Sequence, residues 1–294
     1  KATNCNFSQI YALYMDEKHT TLATIDEQSK AKADLEFTDK TGVTHRLWIE
    51  TDEEIIAKLV ADFADRKLYI ADGHHRYETA LNYRNYCREN GISKPGDPQD
   101  FQMIYLVDME HPGLVVFPTH RLVRDLPNFD KEAVLEKCSE FFYIDEKEGT
   151  DTMEEDLKKL YDEGKKAFGF YCGKGEWFLL TLKNIDFMSQ KLPNVSKASQ
   201  SLDVSVLHTL ILEKIFGIDK ENMAKQINLT YTKFFTEAID GVDKGEFQCS
   251  FVLNPTRVTE IRDVAAAGEK MPQKSTYFYP KMITGMVMNN LGVD

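Results

Sequence analysis

The sequence predicts an α/β protein of the α+β kind, a mixed β-sheet flanked by helices. Helix-period apolar stripes alternate irregularly with short apolar runs of strand length, and several of those runs are joined by short turns that suit hairpins better than crossover helices. The apolar run Leu68–Ala71 also leads through Asp72-Gly73-His74-His75-Arg76 directly into a helical pattern, which places a polar, histidine-rich turn at a strand-to-helix junction.

In order along the chain, Thr51–Arg66 reads as a helix, with Thr51 and Glu54 at capping-box spacing and Ile55, Ile56, Leu59, Val60 and Phe63 on one stripe. Leu68–Ala71 is a short buried strand, and the helix after the polar turn runs to about Asn90, where Gly91 takes the C′ position. Met103–Met109 and Leu114–Val123 read as two strands of a hairpin turning at Glu110-His-Pro-Gly113. Lys131–Phe142 and Thr152–Asp162 follow as helices, and Ala167–Cys172 and Trp177–Leu182 as strands around Gly173-Lys-Gly175. Asp203 is placed to cap a helix reaching Phe216, with His208 on its apolar stripe. Phe247–Leu253 reads as a strand and Val258–Ala267 as a helix, followed by the polar loop Met271-Pro-Gln-Lys-Ser-Thr276. The hydrophilic stretch Asp145–Asp156 suggests a surface linker, and hence an α/β domain over residues 1–150 carrying the polar turn and a second α/β region over 151–294 completing the site.

A formal charge of −12 argues against a surface devoted to nucleic acid, which needs clustered Lys and Arg to neutralise phosphates. The five cysteines are scattered and never paired as CxxC, so neither a disulfide framework nor a thiolate zinc site is indicated, which fits a reducing cytoplasm. No run approaches the ~20 apolar residues of a membrane helix, and the first residues, Lys1-Ala-Thr-Asn-Cys-Asn6, lack the apolar run of a signal peptide.

A glycine between strand and helix permits a tight turn, and the helix N-terminus behind it offers unpaired N–H groups and partial positive charge, the ingredients of an anion site. His74, His75 and Arg76 on the first helical turn add donors, Arg76 being suited to grip a phosphate through two parallel hydrogen bonds. Asp72, at the strand end, is placed to accept a proton or hold Mg²⁺. The competing reading is structural, with Asp72 as a helix cap and Arg76 in an ordinary ion pair. A zinc site from His74, His75, His120 and Asp72 is disfavoured because adjacent helical residues point about 100° apart and no HExxH spacing occurs.

Two resemblances follow from these residues. Ala71-Asp-Gly-His-His-Arg-Tyr-Glu-Thr-Ala80, Pro118-Thr-His-Arg121, Gln200-Ser-Leu-Asp-Val204 with His208, Asn254-Pro-Thr256 and Met271–Thr276 together resemble the domain-of-unknown-function 1015 family of bacterial and archaeal proteins. That resemblance implies further sequence ahead of Lys1. Locally, Gly73-His-His-Arg76 followed by Ala80 is similar to the phosphate-binding box of the ParB/sulfiredoxin superfamily, whose free serine kinases carry a similar Asp-Gly-His-His-Arg turn. Carried onto these positions, it implies phosphate contacts from Gly73, His74, His75 and Arg76, with Asp72 as base or metal-side residue.

Beyond the turn, His120 and Arg121 follow an apolar run and join the candidate set, His120 as a catalytic residue with Asp72 and His75, and Arg121 as a ligand contact. Lys274 and Ser275, in a loop able to hold an anionic group, complete it. The expectation is a nucleotide-dependent phosphotransferase using ATP or ADP with Mg²⁺ on a small hydroxylated metabolite such as serine, without nucleic-acid or membrane partners. Its rivals are a regulator that binds a nucleotide or phosphometabolite without turnover, and a metal-dependent hydrolase built on His74, His75 and His120.

Overall fold

The computed structural model describes residues 3–40 and 42–292, and the chain divides into two compact units. The first comprises the chain up to Val115 together with the part from Pro280 onward, and the second is Val116–Tyr279. Residues 145–156, where the sequence suggested a boundary, fall inside the second unit. As expected, the fold is mixed α/β, with several sheets flanked by helices.

The first unit holds β1 (Cys5–Asn6), β2 (Ile10–Tyr14), α1 (Thr20–Gln28), β3 (Leu35–Thr38), β4 (Thr44–Leu47), α2 (Glu53–Phe63), β5 (Tyr69–Asp72), α3 (His74–Glu89) and β6 (Ile104–Asp108). Its central sheet has the order β5-β2-β6. All five residues of β2 are buried, because this strand is flanked on both edges and covered on both faces, and its sequence Ile-Tyr-Ala-Leu-Tyr is accordingly a continuous apolar run. β5 runs antiparallel to β2 with Asp72 opposite Tyr11, and β6 runs parallel to it from Ile10↔Ile104 to Tyr14↔Asp108. Arg66, just before β5, donates to Asp16 Oδ1 at 2.9 Å and Thr21 Oγ1 at 2.6 Å, tying the entry to β5 to the start of α1.

Two expectations are corrected in this unit. The cap of α2 is Asp52, which accepts from the N–H groups of Glu54 and Ile55; the Thr51 capping box does not form. The α2 stripe is only partly covered, Val60 being 66% exposed. A further correction spans the division at β7 (Val115–Phe117): β6 belongs to the β5-β2-β6 sheet and β7 pairs with the strand Tyr277–Tyr279, so the expected hairpin between them does not exist. Pro118 and Thr119 also break the expected strand Leu114–Val123 in two.

From β7, the second unit continues through β8 (His120–Val123), α4 (Lys131–Cys138), β9 (Phe142–Glu148), α5 (Met153–Asp162), β10 (Ala167–Gly173), β11 (Glu176–Leu182), α6 (Asp186–Lys191), α7 (Lys197–Gln200) and α8 (Asp203–Val206). After a π-helical turn, Leu207–Glu213, come α9 (Lys220–Lys225), β12 (Leu229–Thr232), α10 (Phe235–Asp243), β13 (Cys249–Val252), α11 (Val258–Ala266) and β14 (Tyr277–Tyr279). Six strands form an antiparallel sheet in the order β12-β8-β13-β10-β11-β9. Strand alternation sends Phe168, Phe170, Phe178 and Leu180 into a core with the π-helical turn, and Ala167, Tyr171, Trp177 and Leu179 into a second core with α5 and α10. Gly169 lies under α5, and a Cβ there would come within 3.0 Å of Met153 Sδ.

Here too the sequence expectation is refined. The helix expected over Lys131–Phe142 ends at Cys138, and Phe142 opens β9. Asp203 is the first helical residue after the cap Leu202, and its carboxylate pairs with Lys166 at 2.9 Å instead of capping. The helix expected to reach Phe216 passes into the π-helical turn at Leu207 and ends at Glu213, after which Phe216 N–H donates to the Ile211 carbonyl.

Candidate functional site

At the Asp72–Arg76 junction, β5 ends on the edge of its sheet and the chain turns through Gly73, at φ 93° and ψ 23°, into α3. Only glycine adopts this backbone without a Cβ penalty. A Cβ at Gly73 would also lie 2.9 Å from Arg76 Nε and Nη2, so the guanidinium folds back over the bare Cα. No side chain caps α3, and the N–H groups of any first helical turn have no intrahelical acceptor. Gly73→Ala is therefore expected to destabilise the first unit by about 1–2 kcal/mol and to displace Arg76; urea midpoints measure the first effect, and an unchanged midpoint would show that the turn relaxes at no cost.

Arg76 is engaged within the protein: Nη1 donates to the Gln9 carbonyl, ahead of β2, and Nη2 lies 3.7 Å from Asp72 Oδ1. Lys281 Nζ donates to Asp72 Oδ2 at 2.7 Å. Burial alone would raise the Asp72 pKa, but the Lys281 hydrogen bond and charge, with Arg76 and the Gly73 N–H, outweigh it and hold the carboxyl below its ordinary value. Asp72 is thus an ionised, weakly basic group. The His75 side chain is fully exposed, with Nδ1 3.5 Å from Glu78 Oε2. His75 and Arg76 line a cavity of about 310 Å³ together with Thr79, Ala80, Tyr83 and Phe101, large enough for part of a nucleotide. Tyr83 also donates to Asn4 Oδ1 at 2.6 Å, fixing one wall. Lys281 lies 209 residues from Asp72 in sequence, beyond the reach of any local motif.

The other candidates, His120, Arg121, Lys274 and Ser275, belong to the second unit and form a network of their own. Arg121, wholly buried on β8, donates through Nη1 to Thr119 O and, at 2.8 Å, to Thr119 Oγ1. Its Nη2 lies 3.0 Å from Lys274 O and 3.2 Å from His208 Nε2. Lys274, held at φ 55°, enters this network through its carbonyl, which also accepts from Thr119 Oγ1 at 2.6 Å, while its side chain is exposed. The Ser275 hydroxyl is buried without a hydrogen-bond partner. His120, 1% exposed, accepts from Leu253 N–H through Nδ1 at 3.2 Å, and burial and the Arg121 charge pull its pKa down to about 4. His208 and Tyr231, which flank Arg121, were outside the predicted ligand set, although the polarity of His208 on an apolar stripe was a visible signal.

Among the described residues, no group of three or more His, Cys, Asp or Glu is placed to hold a metal ion, and no helix is long and apolar enough to cross a membrane. The sequence profile of the family described as "Protein of unknown function (DUF1015)" matches residues 1–205 of the 294. No curated protein matches the chain. Among solved structures, a conserved hypothetical protein from Pyrococcus furiosus is similar at 19% identity and TM-score 0.41, over 76% of this chain and 75% of that one. A free serine kinase in complex with AMP is similar at 14% identity and TM-score 0.40, over 94% and 84% of the two chains. A point mutant of a free serine kinase, in complex with ADP, is similar at 14% identity and TM-score 0.38, over 94% and 84%.

Proposed function

We propose that this chain, which belongs to the family described as protein of unknown function DUF1015, is a nucleotide-dependent phosphotransferase acting on a small hydroxylated metabolite, serine being the first acceptor to try. The observation that carries the reading is the Asp72–Arg76 junction, where a positive-φ glycine opens α3 beside a cavity lined by His75 and Arg76. Phosphoryl transfer needs mainly positioning and charge neutralisation. First-turn N–H groups, His75 and the remaining N–H groups of Arg76 supply both to the phosphates of ATP or ADP.

In this reading the acceptor hydroxyl oxygen forms a bond to the transferred phosphorus as the bond to the leaving phosphate oxygen breaks. The hydroxyl proton passes to His75, whose exposed ring lines the cavity, since Asp72, paired with Lys281 and Arg76, is a poor base. Asp72 instead holds Arg76 and Lys281 in place. Mg²⁺ would arrive on the nucleotide phosphates, the usual mode for an ion that keeps most of its waters. The pairing of Asp72 also favours a second reading, a regulator that binds the same ligand without turnover, because it leaves the site one strong base short.

The two readings separate in one experiment: thermal shift and product analysis of the purified protein with ATP or ADP, Mg²⁺ and serine. Phosphoserine formation that falls at least about tenfold in His75→Ala, the loss of one charge-assisted contact, is the expected result. Because His75 is fully exposed, the variant should keep its melting temperature. Nucleotide stabilisation without product supports the regulator. Neither stabilisation nor product sinks both readings.

A further inference from the structure

We propose that the second unit carries an anion-binding pocket of its own, behind which Arg121 supplies the charge, and that it takes a small metabolite through one carboxylate or phosphate group. The inference is independent of the function assigned to the Asp72–Arg76 turn.

Arg121 is 0% exposed, yet its partners are the carbonyls of Thr119 and Lys274, the Thr119 hydroxyl and His208, all uncharged. Among the described residues no Asp or Glu pairs with it, and its Nε–H has no acceptor. A buried guanidinium is ordinarily matched by an anion, because neutral dipoles replace only part of its lost hydration. The aromatic face of Tyr231, 5.3 Å from Arg121 Cζ, offsets the charge but does not neutralise it.

The two side chains next to the guanidinium, His208 and Tyr231, are also walls of a cavity of about 600 Å³, room for a metabolite larger than an inorganic ion. Arginine can only donate, so the 3.2 Å contact from Nη2 makes His208 Nε2 an acceptor and puts the proton of the neutral ring on Nδ1. Tyr231 contributes a hydroxyl that is buried and without a hydrogen-bond partner. His208, with its proton on Nδ1, and Tyr231, with an unpaired buried hydroxyl, therefore stand between the cavity and an unneutralised positive charge. The rest of the lining carries equal numbers of carboxylates, Glu213 and Glu269, and amines, Lys220 and Lys270, and Glu269 is already held by Ser196 and Ser199. His208 itself sits on the π-helical turn Leu207–Glu213, a departure from regular helix that is frequent at functional positions.

The test is isothermal titration of the whole chain with inorganic phosphate and with succinate, repeated on Tyr231→Phe, His208→Phe and His75→Ala. Tyr231→Phe removes one oxygen that has no partner, so it should fold as the parent does. The expected result is binding of at least one probe that weakens about tenfold in Tyr231→Phe, the loss of one hydrogen bond to a charged group, and further in His208→Phe, but is unchanged in His75→Ala. Binding of phosphate alone marks the ligand as a phosphorylated metabolite, and binding of succinate alone as a carboxylic acid. Binding lost in His75→Ala but untouched by the other two would place the anion at the α3 turn and overturn the proposal, as would no binding of either probe at millimolar concentration.

Discussion

Replacing Lys166 by methionine is expected to destabilise the second unit by about 3–5 kcal/mol, the cost of stripping the partner from buried charge. Lys166 Nζ lies 2.9 Å from Asp203 Oδ1 and 3.1 Å from Glu260 Oε1, and all three side chains are mostly covered. It joins the start of α8 to α11 from a position just before β10. Burial pushes the Asp203 carboxyl up from its ordinary value against the pull of Lys166, while burial opposes and the two carboxylates outweigh it to raise the Lys166 amine. With the amine gone, two carboxylates share a poorly hydrated site, and one must take up a proton or water must enter. Asp203→Asn in the Lys166→Met background should recover part of the loss, since the double change removes the repulsion along with the pair. Chemical denaturation of the three proteins at neutral pH reads all of this. A Lys166→Met midpoint equal to the parent's would mean that the triad is solvated and contributes no more than a surface ion pair.

This triad illustrates what the sequence reveals and what it hides. Asp203 preceding an apolar helical stripe looks like an N-cap, because cap preference is local, whereas its real partner, Lys166, lies 37 residues earlier in the chain and is chosen by packing. The α3 turn was legible for the opposite reason: strand, glycine and helix are consecutive, so Asp72–Arg76 needed no tertiary information to be placed at one junction. What tertiary structure added there is Lys281, which converts Asp72 from a prospective base into a paired carboxylate, and the Gln9 carbonyl, which turns Arg76 inward. Strands Ala167–Gly173 and Glu176–Leu182 were legible because a tight Gly-Lys-Gly turn fixes their antiparallel pairing. The apparent hairpin at Glu110–Gly113 used the same signal and failed, because the strands on either side find partners elsewhere: β6 beside β2 and β7 beside β14. β2, five consecutive buried residues, carries a continuous apolar run and none of the alternation that marks a one-faced strand.

Acid is expected to weaken the second unit well before its ordinary carboxylates titrate. His120 is neutral in the folded protein down to about pH 4, against an ordinary value of 6.5, because burial excludes the imidazolium and Arg121 repels it. Burial and Arg121 push the His208 pKa well down as well. In the unfolded chain both rings protonate near 6.5, so the unfolded state binds more protons below that pH. Stability is thus unaffected above 6.5, declines as pH falls through the interval, and stops declining on account of His120 only below its folded value. At 1.36 kcal/mol per unit, His120 alone accounts for about 3 kcal/mol over the full interval. Asp203 and Glu213, whose carboxyls burial raises, act in the opposite sense and offset part of the loss at the acidic end. The discriminating variant is His120→Asn, whose side-chain oxygen can stand in for Nδ1 as acceptor of the Leu253 N–H while carrying no titratable group. Unfolding midpoints measured from neutral pH to about 4 should fall less steeply in this variant than in the parent; parallel curves would show that His120 charges in the folded protein as readily as in the unfolded one, and that the Arg121 network is open to water.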